Sequence, residues 1–164
     1  ILTIMDLNWI NDIHPALATF LLAMLPIAEL RLSIPIAIGT LDMPLWQSYI
    51  FSVIGNYIPA VLILYLIGPV SRFLSKDKKV FAKFFDWLFT RTRRKFDKKY
   101  KVWGNIALLF FVAIPLPVTG AWTGALAAWL FGINKKDSLI YIGLGILLAG
   151  FIVSLISLGI FKFI

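Results

Sequence analysis

The chain has 164 residues, enough for one domain, and 60% of them are hydrophobic, with a mean hydropathy of +0.90. A protein this small has too little interior to hide so much apolar side chain, so lipid is its expected solvent. The net charge of +8 is confined, because twelve of the sixteen Lys and Arg lie between Arg72 and Lys101. That block sits between apolar segments, where the positive-inside rule accounts for it as a cytoplasmic loop and nucleic-acid binding is not expected. There is no cysteine, which excludes disulfides, thiolate catalysis and cysteine metal sites.

Residues 1–14, ILTIMDLNWINDIH, mix apolar and acidic side chains without Lys or Arg. They read as a short interfacial helix or the tail of a longer segment, and they lack the basic start and cleavage site of a signal peptide. Residues 15–40 form a first apolar block, broken between Pro26 and Pro35. Pro44 then opens LWQSYIFSVIGNYIPAVLILYLIG (45–68), long enough to span a bilayer, with a kink expected at Asn56 and Pro59.

The basic stretch 72–103 carries Phe81, Phe84, Phe85, Leu88, Phe96, Tyr100 and Trp103 near helical period. Aromatics on one face and Lys/Arg on the other predict a helix lying on an anionic leaflet, with membrane lipids as its partner. A second apolar block, 104–132, is broken by Pro115, Pro117, Thr119 and Gly120. INKKDS (133–138) makes a turn, and a last clean stretch, 139–161, carries Gly143, Gly145, Gly150 and Gly159 for close helix packing.

The order is a repeat of two within a single membrane domain: 15–69, then the basic helix 72–103, then 104–163. Each half has a broken block ending in Gly (Gly39, Gly132), a polar turn and a spanning helix. From that Gly to a Tyr is ten residues (Tyr49) in one half and nine (Tyr141) in the other, and to a closing Gly 29 (Gly68) and 27 (Gly159). Interrupted hydrophobic segments at matching places are a signature of transporter folds.

Each broken block is long enough to cross the bilayer, so four plain spans are one reading. If all four cross, Lys135 and Lys136 fall opposite the basic loop. If each block dips in and returns, 71–103 and 133–138 share the cytoplasmic face with fourteen Lys/Arg, and the Asp42 turn faces out with the chain ends. The second arrangement obeys the charge rule better. It predicts an all-α integral membrane protein, an inverted pair of re-entrant helical hairpins each followed by a transmembrane helix, in a prokaryotic inner membrane.

The tips, 26–35 and 115–124, would then meet near the midplane. Glu29 and Arg31 are the charged pair deep in these blocks, each costing about a few kcal/mol in hydrocarbon. Two residues apart, they point to different sides of a helix but can be neighbours in an unwound tip. A buried ion pair pinning the hairpins is the structural reading of them. Because such pairs are poor stabilisers, a functional reading is preferred: Arg31 forks onto a carboxylate or phosphate, and Glu29 takes up and releases a proton. In PLPVTGAWTGA, Thr119 is expected to cap a helix whose first N–H groups face an anion. Gly120 and Gly124 would allow close backbone approach, and Trp122, Thr123 and Asn56 would line the path.

PIAELRLSIPIAIG and AIPLPVTGAWTGALAAWLFG resemble the two hallmark segments of the small multi-drug export family, over nearly the whole chain. That resemblance implies a distant relationship to the DedA (VTT-domain) membrane proteins, which have two opposed re-entrant hairpins and are implicated in proton-dependent transport of lipids such as undecaprenyl phosphate. The acidic residue of the first DedA hairpin would correspond to Glu29. In the second hairpin, Thr119–Gly120 stand where DedA proteins carry a Pro-x-x-Arg arginine.

The expected activity is therefore a small, proton-coupled transporter or flippase of an amphiphilic anion such as a lipid phosphate, able to form a homo-oligomer. The alternatives are efflux of hydrophobic drugs by proton exchange and a non-transporting scaffold. An enzyme is not expected, since the sequence has no pair of deep aspartates, no His-Glu-x-x-His and no Ser–His set. No cofactor or metal is called for.

Overall fold

Proline and glycine decide where this chain turns. A computed structural model describes the backbone of residues 13–75, 98–116 and 119–163, and side chains over 13–71, 103–116 and 119–159. The expected interfacial helix at 1–14 and residues 76–97 of the basic stretch lie outside the described residues, as does Pro117. Among the described residues six helices follow in order: α1 (Pro15–Met24), α2 (Glu29–Gly39), α3 (Leu45–Ser75), α4 (Lys98–Ala113), α5 (Ala121–Leu130) and α6 (Lys135–Phe163). Among the described residues there is no strand.

The long helices α3 and α6 contain the expected spans. Leu45–Ser71 has 27 residues and Lys135–Gly159 has 25, or roughly 40 and 38 Å at 1.5 Å per residue, against a hydrocarbon core of about 30 Å. Their outward faces are apolar, with Trp46, Ile54, Leu62 and Leu66 exposed on α3 and Ile140, Leu144, Phe151 and Leu155 on α6. Lipid solvates such faces and water does not. The stretch Asn56–Pro59, where a kink is expected, does not end α3, which continues through Pro59 and Pro69. Each proline removes one donor from the ladder, and the remaining bonds of a 31-residue helix carry it across.

Neither broken block is a straight span. Each folds as a helical hairpin of arms 10 to 16 residues long. In the first, Ala16 near the start of α1 packs with Ala37 near the end of α2, so α2 doubles back along α1. In the second, the close approach of Gly124 on α5 to Val112 and Leu108 on α4 fixes the same antiparallel arrangement. The second hairpin reaches back into the basic stretch, because α4 begins at Lys98.

The chain divides into two units, residues 1–58 with 147–164, and residues 59–146. In the first, hairpin α1–α2 packs on the N-terminal half of α3. Gly55 leaves room for the Phe20 carbonyl oxygen, which an added Cβ would strike. Gly150 of α6 meets Tyr49 and Val53, and the Tyr49 hydroxyl donates to the Leu147 carbonyl at 2.9 Å. In the second unit, Gly145 of α6 lies where an added Cβ would stand 2.9 Å from the Leu109 carbonyl oxygen. Lys135 there sits 4.9 Å from the centre of the Tyr65 ring.

The two units repeat local geometry at a spacing of 90 or 91 residues. Among the described residues, positive φ occurs at Glu29 (45°), Asp42 (49°), Gly120 (145°) and Gly132 (68°). Glu29 and Gly120 are 91 apart and open the second arm of each hairpin; Asp42 and Gly132 are 90 apart and turn the chain into each long helix. Ser48 and Ser138 are also 90 apart, and both donate back four residues, to Pro44 O at 3.2 Å and Asn134 O at 2.9 Å. Gly55 and Gly145 complete the set. The sequence had aligned Gly39 with Gly132, but the backbone aligns Asp42 with Gly132, because α2 itself ends at Gly39 while α5 ends two residues before Gly132.

Candidate functional site

The tip of the first hairpin is short. Leu25 is extended (φ −74°, ψ 135°), as a residue before proline is obliged to be, and Pro26–Ala28 form a turn. The break therefore lies at 25–28 and not across 26–35. Pro35, the expected far edge of the break, lies inside α2, where it deprives the Arg31 carbonyl of its i+4 donor without ending the helix.

Glu29 is the first residue of α2 and has φ 45°, a left-handed backbone that costs a non-glycine residue about 1–2 kcal/mol. Its carboxylate lies 3.8 Å from the Arg31 guanidinium, so the two are neighbours, as expected of a distorted tip. They are unequally placed. The Glu29 side chain is 8% exposed and that of Arg31 26%.

Behind Glu29 runs a row of polar side chains that the sequence reading did not single out, apart from Asn56. Ser33, one turn further along α2, donates to Ser52 of α3 at 2.8 Å. Both are fully buried, as is Ser48 one turn before Ser52. Asn56, one turn beyond Ser52, is 1% exposed, and its Oδ1 has no hydrogen-bond partner. Such an orphan is rare enough to need a reason. Ser154 of α6, in the same unit, also has an unpartnered buried hydroxyl. The signal was present in the sequence: Ser48, Ser52 and Asn56 recur at i, i+4 and i+8 on one face of an otherwise apolar helix.

The second hairpin places its expected residues differently. Thr119 does not cap α5. Its hydroxyl contacts the Ile114 and Leu116 carbonyls at 2.6 and 2.9 Å and the Leu116 N–H at 3.1 Å, closing the turn after Pro115. Gly120 is the N-cap, buried, with φ 145°, and no side chain caps the helix. Thr123 donates to the Gly120 carbonyl at 3.4 Å, while Trp122 and Pro115 are half-buried. Gly124 is buried against Val112 of α4, its own hairpin partner. Between α4 and α5 runs a groove of about 310 Å³ lined by Gly104, Ala107, Phe111, Ala127 and Phe131, which offers no polar chemistry. Glu29, Arg31, Pro35 and Asn56 thus belong to the first unit, and the expected residues of the second hairpin to the other. Among the described residues, no cluster of His, Cys, Asp and Glu is able to hold a metal ion.

Residues 29–152 match the family described as putative small multi-drug export protein. The chain belongs to that family. The match begins at Glu29 and covers the second arm of the first hairpin, both long helices as far as Ile152, and the whole second hairpin. Searches of curated proteins and of solved structures found no match. Membership in the small multi-drug export family, with two helices long and apolar enough to cross a bilayer, gives a membrane protein whose family name describes export, a transporter's activity and not an enzyme's.

Proposed function

We propose that this protein moves an amphiphilic anion, such as a lipid phosphate, across the membrane in exchange for or together with a proton. The observation that carries this reading is the unequal burial of the charged pair. The base is the open member and the acid the closed one, so cargo reaching the tip of the first hairpin meets a guanidinium suited to forking onto a phosphate or carboxylate. Glu29, relieved of its partner when cargo takes Arg31, carries the proton. Two short hairpins and a repeat at 90–91 residues support the re-entrant, inverted arrangement, with 71–103 and 133–138 cytoplasmic and 72–103 held to anionic lipid. Cysteines placed at Asp42 and Asp137 should then be labelled by an impermeant reagent from opposite sides of the membrane. Labelling from one side breaks the arrangement.

Transport in proteoliposomes, with lipid phosphates and hydrophobic cations compared side by side, tests the function. Arg31→Lys keeps charge but loses the fork, and should weaken uptake of the phosphate-bearing cargo about tenfold, the value of one charge-assisted hydrogen bond. Glu29→Gln should fold and lose pH-dependent turnover. The family description, which speaks of multi-drug export, favours a second reading, efflux of hydrophobic drugs, for which hydrophobic cations are the probe and proton exchange the expected coupling. Transport of cations alone, insensitive to Arg31→Lys, would replace the first reading by the second.

A further inference from the structure

The polar row behind Glu29 has a register. Helices α2 and α3 are joined by only five residues, 40–44, and the Ser33–Ser52 bond lies well inside both, so the two helices run antiparallel here. One turn from Ser33, toward the hairpin tip, is Glu29. One turn from Ser52 in that same direction is Asn56. The register therefore sets the buried Glu29 level with the buried Asn56, both in the first unit.

The second unit is a built-in control. At the repeat spacing, the counterparts of Glu29, Ser33, Ser52 and Asn56 are Gly120, Gly124, Ile142 and Ile146. An added Cβ at Gly124 would lie 3.9 Å from Ile142, so the contact that is a hydroxyl pair in one unit is glycine against isoleucine in the other. The second unit closes without a polar side chain at these four places. Polar side chains at these four places are therefore not needed for closure, and Glu29 holds a positive φ (45°) where its counterpart is a glycine (145°).

We propose that Asn56 is the hydrogen-bond acceptor for the protonated form of Glu29, and that this pair is the proton-holding site of the transporter. A carboxylate has no hydrogen to offer Asn56 Oδ1, while a carboxylic acid has one. With Glu29 ionised, its charge partner is Arg31 at 3.8 Å, and the Asn56 oxygen accepts no hydrogen bond. When an anion takes the guanidinium, a proton from water binds the carboxylate, and its O–H donates to Asn56 Oδ1. Cargo and proton then favour one another's binding, and by linkage the effect is equal in both directions. This rests on the anion-transport reading for its cargo, but not for its proton site.

Few other groups interfere. α1 carries no ionisable residue, α2 has only Glu29 and Arg31, and residues 147–159 of α6 have none. The facing half of α3 offers Tyr49, whose hydroxyl is engaged with Leu147, and Tyr57.

Infrared difference spectra of the purified protein in detergent, recorded between alkaline and acidic pH without cargo, read the carboxylic acid directly. Glu29→Gln assigns the band by removing it. The band should have the low frequency of a hydrogen-bonded acid, and Asn56→Ala should raise it and move the pH midpoint of its appearance down by about one unit, the worth of one lost hydrogen bond. Asn56→Thr keeps an acceptor oxygen and should restore part of the shift. Ser154→Ala, which removes the other orphaned oxygen, should change neither. A free-acid band in the unaltered protein, or a midpoint that follows Ser154 and not Asn56, overturns the proposal; the first result stands even if Asn56→Ala does not fold. Because no cargo is present, failure here is separate from failure to move lipid phosphate.

Discussion

The two units of this protein match at four places 90 or 91 residues apart and differ in what they bury. Eight of the nine buried polar or charged residues among the described ones (Thr19, Glu29, Ser33, Ser48, Ser52, Asn56, Ser154 and Ser157) fall in the unit made of residues 1–58 and 147–164. The other unit buries Ser138 alone, and its remaining interior is Ala, Leu, Val and Ile with close-packed Gly124 and Gly145. Ser138 has a counterpart in Ser48, and each returns its hydroxyl to the carbonyl four residues earlier. What both units keep is therefore local and satisfied at home. What only one keeps is Glu29, the Ser33–Ser52 bond and an asparagine oxygen with nothing to accept. Polar groups buried beyond structural need are costly, and they mark the unit in which chemistry is to be sought.

The matched close approaches at Gly55 and Gly145 should break equally in both units, and this is the largest effect expected. Gly55→Ala drives a methyl into the Phe20 carbonyl, and Gly145→Ala drives one against the Leu109 carbonyl and Val112. Backbone cannot swing aside as a side chain does. Overpacking of up to about 3 kcal/mol, less roughly 1 kcal/mol for exchanging glycine for alanine in a helix, leaves a loss of about 2 kcal/mol in each. Gly159→Ala meets nothing within 4 Å and should be neutral or slightly stabilising. Thermal unfolding in detergent reads all three. If only one of the first two variants is destabilised, the repeat is not a repeat of packing.

Much of this was legible in the sequence, and the reason it was legible is periodicity. The two spans, the two broken blocks, the repeat and the Glu29–Arg31 pair all rest on runs of apolar residues and on charges set within them. Proline was the weaker guide. Pro26 marks a true break, but Pro35, Pro59 and Pro69 sit inside helices, because a missing donor is tolerated when neighbouring packing holds the helix. Thr119 followed the capping rule in sequence and broke it in space, since the Ile114 and Leu116 carbonyls at the Pro115 turn take the same hydroxyl. The Ser33–Ser52 bond was hidden for another reason: serines are common in transmembrane helices, and only the antiparallel register shows which two meet.

That bond supplies the smaller and sharper test of the contrast between units. Ser33→Ala removes the donor to Ser52, and Ser52→Ala removes its acceptor; each should cost about 1 kcal/mol, the net worth of one hydrogen bond. The double variant should cost little more than either single, because the second substitution removes a group that the first has already left without its partner. A loss near 2 kcal/mol, the sum of the two, would mean that each hydroxyl is engaged elsewhere and that the pair is not a unit. The double variant also makes the first unit apolar at the level where its counterpart has Gly124 and Ile142, and there the backbone closes well. It should therefore fold. Its transport should nonetheless fall, because Glu29 and Asn56 would lose the polar groups one turn below them and the proton its polar surroundings. A folded double variant that moves cargo at the unaltered rate would reduce the polar row to packing, and leave the charged pair at the hairpin tip as the whole of the site.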